Sequence, residues 1–451
     1  MFENKKNFVA VYLLAQLLNF PIARAQESID GAEQEKNIPE ESWNAKFQST
    51  YLWQKKPSFD ARYTGDRSLL PNVEHSYSLT ATAFVGLRLW TGGEIYFNPE
   101  MIQAVPFSEL HGLGGLSNSE QQKTSGPNPV FYNARLYVKQ TFSFGGGQDA
   151  AASGPNQLAG MVDRRRLVVS VGKMSIIDVF DNNAYAHDAR TQFSNWAFLT
   201  HGAFDYAADA RGYTIGAAAE YYYDNWAIRV GEFMGPAESN GLPLDTRITK
   251  HHGQELEVER GYTIGEQAGK VRLLAFRNKE VMGSFADAIA YAQFNGGVPD
   301  VANVRKENFK VGYGMSLEQS LRSDLGMFAR ASWADGKTET YSFTEIEQSI
   351  SAGLVGKGER WGRPKDTMGI AFAQDGLSRV HREYLSQGGL GAFIGDGQLN
   401  YRPERISEIF YNTNVYKNTT LGFGFQHINN PGYNTDRGPV NIGMVRLHAE
   451  L

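Results

Sequence analysis

The sequence predicts an all-β fold: an antiparallel β-barrel that crosses a membrane, with long extracellular loops and short periplasmic turns. Three observations predict it. Segment after segment alternates at period two, one face apolar and the other carrying charges of both signs. Tyrosines and tryptophans gather at the ends of those segments. Tight turns alternate with long polar connections. Alternation at period two marks strands with two unlike faces. An apolar face on nearly every strand needs an apolar neighbour, and lipid outside a polar lumen supplies one. Closure also removes the sheet edges that lipid would not tolerate.

The N-terminus reads as an export signal. Lys5 and Lys6 precede an apolar run from Phe8 to Leu18, followed by Ala23-Arg24-Ala25. These are a charged region, a hydrophobic region and an A-x-A-like cleavage site. A membrane anchor fits less well, because a spanning helix needs ~20 apolar residues. Residues 1–25 are therefore expected to be a cleaved signal peptide, with Gln26 the mature start. Residues 26–42 are expected to be a flexible periplasmic segment and residues 43–451 a single barrel domain. No Pro/Ser-rich linker or change of composition divides the chain.

Composition narrows the class. The chain has 451 residues, no cysteine and a formal net charge of −5, with 48 Gly, 22 Tyr and only 16 Pro. Without cysteine there is no disulfide framework. Near-balanced charge argues against nucleic acid as a partner.

Taken in chain order, each strand shows its faces. In WNAKFQSTYLWQ, Ala45, Phe47, Tyr51 and Trp53 alternate with Lys46, Gln48 and Thr50. ATAFVGLRLWTGGEIYFNPE sets Ala81, Ala83, Val85, Leu87 and Leu89 against Thr82, Phe84, Gly86 and Arg88. After Thr91-Gly92-Gly93 it sets Ile95 and Phe97 against Glu94, Tyr96 and Asn98, so the two strands form a hairpin. In YNARLYVKQTFSFGG, Ala134, Leu136, Val138, Phe142 and Phe144 oppose Arg135, Tyr137, Lys139 and Thr141. RRLVVSVGK opposes Leu167, Val169 and Val171 to Arg166, Ser170 and Gly172. GYTIGAAAEYYYDNWAIRVGEF places Tyr213, Ile215, Ala217, Ala219 and Tyr221 opposite Thr214 and Glu220; beyond Asp224-Asn225, Trp226, Ile228 and Val230 oppose Arg229. ELEVE puts Leu256 and Val258 against Glu255, Glu257 and Glu259; TTLGFGFQH puts Leu421, Phe423 and Phe425 against Gly422, Gly424 and Gln426. The last strand, GMVRLHAEL, should turn Val445, Leu447 and Leu451 outward and Arg446 and His448 inward. Leu87, Val169, Ile228 and Leu256 should face lipid. Tyr51, Trp53, Trp90, Tyr213, Tyr221 and Trp226 would form aromatic girdles at the strand ends. At ~9–11 residues per membrane strand, sixteen strands use ~160 residues, and eighteen also fit.

LRLWTGGEIYFNPE, LGGLSNSE, ARLYVKQTFSFGGG, NQLAG and the long run DVFDNNAYAHDARTQFSNWAFLTHGAFDYAADARGYTIGAAAEYY resemble the OprB-like carbohydrate-selective porins of Gram-negative outer membranes. GDGQLNYRPERISEIFYN, QHINNPGYNTDRGPV and RLHAEL extend the resemblance, which runs from about Trp43 to the end. One departure is the terminal Leu451, where such barrels more often end in an aromatic. The resemblance implies sixteen strands, an outer-membrane location and a narrow channel for passive diffusion of glucose and similar sugars. It implies mono- or small oligosaccharides as cargo, outer-membrane lipid and the barrel-assembly machinery as partners, no catalysis and no cofactor. A monomer and a trimer both fit.

Passage of a sugar is no reaction. The wall must replace the sugar's water weakly enough to release it. Arginine supplies a fork of donors and carboxylates supply acceptors. Arg88 and Glu94 on one hairpin, joined by Arg135, Lys139, Glu220 and Arg229 on inward faces, are the lumen candidates. They could equally be cross-strand ion pairs that only stiffen the wall. The segment from Ser175 to Arg211 is too long for a turn and carries Asp178, Asp181, His187, Asp188, Arg190, Trp196, His201, Asp205 and Asp209. The resemblance implies that it folds inward and narrows the channel, which adds Asp178, Asp181, Arg190 and Trp196 to the candidates. An exterior lid and a Ca²⁺ site are the alternatives, but Asp181-Asn182-Asn183 lacks EF-hand spacing. His251-His252 should be solvated. SRVHREYLSQGG reads as a short helix from Ser378, and Phe285–Phe294 as another.

Three rival readings remain. A barrel lipase would need a nucleophile motif, and no G-x-S-x-G is present. An energised receptor needs a plug domain, for which residues 26–42 are too few. A secreted soluble β-protein that binds or hydrolyses carbohydrate would bury its apolar strand faces.

Overall fold

The computed structural model describes residues 38–451 apart from 125 and 344. The expected signal peptide, residues 1–25, and the 26–37 part of the expected N-terminal segment lie outside the described residues. The chain forms β1 (Trp43–Lys56), β2 (Glu74–Trp90), β3 (Gly93–Val105), β4 (Val130–Ser143), β5 (Gln148–Ala151) and β6 (Gly160–Asp163). It continues through β7 (Arg165–Met174), β8 (Thr214–Tyr223), β9 (Trp226–Phe233), β10 (His252–Ile264), β11 (Gln267–Met282) and β12 (Lys306–Arg322). The last strands are β13 (Leu325–Ala334), β14 (Gln348–Gly358), β15 (Arg363–Gly376), β16 (Glu404–Tyr416), β17 (Thr419–Asn429) and β18 (Val440–Glu450). All but β5 and β6 join one closed sheet of sixteen strands. Neighbours are antiparallel, and β1 closes the barrel on β18 with Thr50 opposite His448 and Trp53 opposite Val445. No helix among the described residues is long and apolar enough to cross a membrane.

The alternation sets the two surfaces. Leu87, Ile228 and Leu256 are exposed on the outer face, with Val169 half-exposed beside them. In β18, Val445 and Leu447 point outward while Arg446 and His448 are buried inside. Two residues depart from their expected faces. Ala134, expected outward, is fully buried: the pairing jumps from Asn98↔Arg135 to Pro99↔Asn133, so Ala134 is the extra residue of a bulge. The bulge resets the faces, so Phe131 points outward and Tyr132 inward. Tyr213, expected in the aromatic girdle, precedes β8 and sits inside the barrel on Glu100. Tyr51, Trp90 and Tyr221 do lie exposed on the barrel wall.

Long connections, among them 57–73, 106–129, 175–213, 283–305 and 377–403, all emerge at one end. Tight turns such as 91–92, 224–225 and 417–418 occupy the other, where both chain ends of the barrel also lie. Gly92 supplies the positive φ (71°) that the first of these turns requires. Helix α1 (Trp196–Leu199) lies in the 175–213 loop. Helix α2 (Phe285–Asn295) and helix α3 (Arg379–Ser386, capped by Ser378) lie in later loops.

The 175–213 loop folds into the lumen. Phe180, Phe193, Phe198 and Phe204 make a core with Phe233, Phe276, Phe328 and Phe410 from inward strand faces. A backbone buried there has no water to satisfy it. Wall carboxylates do so instead: Glu257 accepts from Asp181 N–H, Glu318 from Ala184 N–H, and Glu408 from Ser194 and Asn195 N–H. Arg330 binds the Asp181 carboxylate at 2.9 Å and the Phe198 and Ala186 carbonyls. Gly314 leaves room for the His201 ring, which a Cβ would meet at 2.6 Å. The 106–129 loop enters beside it, with Glu404 accepting from Gly114 and Gly115 N–H.

Candidate functional site: the lumen and its constriction

The two inward loops pack on the inward faces of the wall and leave a cavity of about 440 Å³ along β1–β4, the candidate passage, with a second of about 550 Å³ between the 175–213 loop and β12–β18. At its centre the inward face of β3 presents Glu100, the 106–129 loop presents Glu120, and the 175–213 loop lays Arg190 between them. Arg190 Nε donates to Glu120 at 2.8 Å and Nη2 to Glu100 at 3.1 Å. Thr82 Oγ1 donates to Glu100 at 2.6 Å and Thr80 Oγ1 to Glu120 at 2.7 Å. Tyr132 and Tyr213 hydroxyls also donate to Glu100.

A second pair faces the same space. Arg135 of β4 holds Asp178 through two bonds, of 2.7 and 2.6 Å. Its guanidinium lies 5.2 Å from the Tyr213 ring centre, and that of Arg211 lies 4.7 Å from the Tyr132 ring centre. Trp196 stacks flat on Phe343 at 4.8 Å, and Tyr206 packs on the same ring at 4.6 Å. The Trp196 Nε1 and Arg211 Nε donors are buried without a partner. Lys123 completes the loop-side lining; burial pushes its ammonium down to about 8, against the attraction of Asp205 and Asp209.

The ten sequence candidates separate into three places. Arg135, Asp178, Arg190 and Trp196 meet at the centre of the passage. Arg88, Glu94 and Lys139 sit together near the short-turn end, where Glu94 binds Lys139 at 2.6 Å and Arg88 at 3.3 Å. Asp181, Glu220 and Arg229 lie outside the passage. Asp181 is fully buried; burial raises its carboxyl, but Arg330 foremost, with Thr200, outweighs that and holds it well below the usual carboxylate range. His201 beside it is pushed down to about 4 by burial, so it is neutral at pH 7. Arg229 joins Glu220, Glu257 and Glu259 in a network along the wall.

His251, expected to be solvated, is buried and bonds Asp245 at 2.6 Å. Among the described residues no group of three or more acidic or histidine side chains converges on a metal position. Several lining residues escaped the sequence reading: Glu100, Glu120, Tyr132, Arg211 and Tyr213. Glu100 continues the inward parity of Glu94, Tyr96 and Asn98, a signal that was present. Glu120 and Arg211 lie on loops, where no periodicity marks them.

A sequence model of the carbohydrate-selective porins of the OprB family matches residues 85–451. The chain belongs to that family. OprB of Pseudomonas putida, in its high-pH structure, is 15% identical, with 91% of this chain and 94% of that chain covered and a TM-score of 0.70. Its low-pH structure is 13% identical over 91% and 93% of the two chains, with a TM-score of 0.48. OccK2 of Pseudomonas aeruginosa is 7% identical over 91% and 97%, with a TM-score of 0.45. A comparison with curated protein sequences finds no match. Within the OprB family, then, this chain places its mixed-charge residues on both inward loops and on β3 and β4, around one passage.

Proposed function

We propose that this OprB-family barrel lies in a Gram-negative outer membrane, tight turns toward the periplasm, and lets small neutral sugars diffuse passively through a narrow polar channel. The observation that carries this reading is the side-by-side placement of donors and acceptors around the passage. Arg135, Arg190 and Arg211 supply N–H groups, and Glu100, Glu120 and Asp178 supply carboxylate oxygens. A neutral hydroxylated solute can exchange its water for both, whereas a general anion pore would need a stripe of one sign. Tyr213, Tyr206 and Trp196 also line the space, though their rings are largely covered by Arg135, Phe343 and Phe204. Arg135, Arg190, Glu100, Glu120 and Asp178 already have partners, so the sugar competes for those bonds, while Arg211 Nε still has a bond to give. That keeps binding weak and release fast. The reading takes glucose and sugars of its size as the cargo.

Liposome swelling with a panel of mono-, di- and trisaccharides tests the reading. Monosaccharides should enter fastest, with a steep fall by the trisaccharide. Equal rates for all three would refute a narrow sugar channel.

A further inference from the structure

The short-turn end carries one connection unlike the rest. Residues 144–164, between β4 and β7, are far too many for a turn, and they build a hairpin of their own from β5 and β6. A lone two-stranded hairpin is marginal in water. This one is fastened. Residues 38–42, expected to be flexible, run beside it: Glu41 N–H donates to Ala159 O at 3.0 Å, and Ala159 N–H donates to Glu41 Oε2 at 2.8 Å. Asn44 Nδ2 donates to Gln157 O at 2.8 Å and to Ser153 Oγ at 3.1 Å. Leu158 N–H donates to the Tyr96 hydroxyl at 3.3 Å. Arg88 closes the arrangement from the barrel wall. It binds Glu40 at 2.5 Å, the Glu41 carbonyl at 3.1 Å and Glu94 at 3.3 Å.

The tip of the hairpin does not hang free of the pore. Pro155 and Asn156 line the same passage as the central Arg190 and Glu100, at the end shared with Gln48, Phe84 and Glu450. Asn156 takes a positive φ of 56°, and its Oδ1 is buried with no partner. Asn tolerates that left-handed conformation in a tight turn; the unsatisfied acceptor beside the passage is what a passing donor would meet.

We propose that the 144–164 hairpin is a second selectivity element, an exit-side contact for neutral sugars, and that Arg88 with residues 40–44 is the latch that holds it in the pore. Asn156 and Gln48 supply amide donors and acceptors, and Phe84 supplies a ring face. The cargo assigned here rests on the proposed sugar function; the placement of the hairpin in the ion path does not. The latch also gives Arg88 and Glu94 a role: they set where the hairpin stands instead of forming the central constriction.

The test uses the full chain in planar bilayers. The protein has no cysteine, so Asn156→Cys carries a single thiol. Adding a cationic methanethiosulfonate reagent should lower ion conductance about twofold in one step, faster from the short-turn side. Unchanged conductance after complete labelling would overturn the proposal. A second variant replaces residues 148–163 by a short glycine turn. Its size limit for polyethylene glycols and oligosaccharides should rise, while block by glucose at the centre persists. An unchanged limit in a correctly assembled barrel would again overturn the proposal; if the shortened chain fails to assemble, the labelling experiment decides. Labelling that lowers ion current in a channel that no sugar blocks would uphold the hairpin's placement and sink the sugar reading instead.

Discussion

Arg190→Ala tests the central constriction. Arg190 bridges Glu100 and Glu120 with bonds of 3.1 and 2.8 Å. Its loss removes one positive charge and leaves both carboxylates with hydroxyl partners alone. A unit charge about 6 Å from a permeating ion in water contributes about 0.7 kcal/mol. Cations and anions shift in opposite directions, so their permeability ratio should move about tenfold toward cations. Screening with a Debye length of ~10 Å at 0.1 M salt trims that to several-fold. Hydrogen bonds to charged groups contribute about 1.5–3 kcal/mol, and water competes for them in a wet pore, so glucose affinity should fall about tenfold. The assay is the reversal potential in a KCl gradient, followed by titration of the ion current with glucose. Arg190→Lys sharpens it: the charge returns but the two-carboxylate fork does not. Ion selectivity should then recover while glucose affinity stays low. A reversal potential unmoved in Arg190→Ala would mean that ions do not pass this residue, and the assignment of the constriction would fall.

Other expectations follow from the same geometry. Arg330→Ala strands the buried Asp181 carboxylate and frees the Phe198 and Ala186 carbonyls; it should destabilise the inward loop by about 3–5 kcal/mol, read as larger current noise and a lower unfolding temperature on gels. Noise equal to the native protein would refute the loop anchor. Val169→Arg and Leu87→Arg, on the outer face four and three residues from the short-turn ends of β7 and β2, should each lower assembly, by up to about 2–4 kcal/mol; native yields for both would contradict their outward assignment. The latch should depend on pH. The Ala159 N–H, first among several contacts, holds the Glu41 carboxyl below its usual range. A depressed carboxyl stabilises above the ordinary carboxylate range and loses that contribution as pH falls through its lowered value. With Glu40, Arg88 and Lys46 as charged neighbours, the hairpin should hold at neutral pH and flicker only on acidification. Glu41→Gln should flicker at pH 7, and flicker that ignores both pH and this change would dismiss Glu41 as part of the latch.

The barrel was legible because lipid imposes a simple rule on strands. Each outward side chain must be apolar, and period two does the rest, as Leu87, Ile228 and Leu256 show. The rule fails where the count slips. The bulge at Ala134 shifts the parity of β4 by one residue, and nothing in YNARLYV announces it. Tyr213 misled for a related reason: it continues the alternation of β8 on paper, but the strand begins at Thr214 and Tyr213 ends the inward loop.

The site was less legible than the wall, for a physical reason. Inside the barrel many inward charges find an opposite one, so Arg88–Glu94, Arg135–Asp178 and Arg229–Glu257 look alike as pairs, while Glu255, Glu280 and Asp375 are buried without a hydrogen-bond partner. Which pairs meet the solute depends on where the lumen is left open. That is decided by the inward loops, whose aromatic side chains pack on Phe233, Phe276, Phe328 and Phe410 of the wall and whose backbone N–H groups are taken up by Glu257, Glu318, Glu404 and Glu408. A carboxylate on an inward strand face therefore has three possible employments: it lines the passage, as Glu100 does; it caps a buried loop, as Glu408 does; or it braces the wall, as Glu220 does. Sequence parity assigns all three to the lumen and cannot sort them. The sorting needs the loop path, and the loop path is set by contacts between residues as far apart as Asp181 and Arg330.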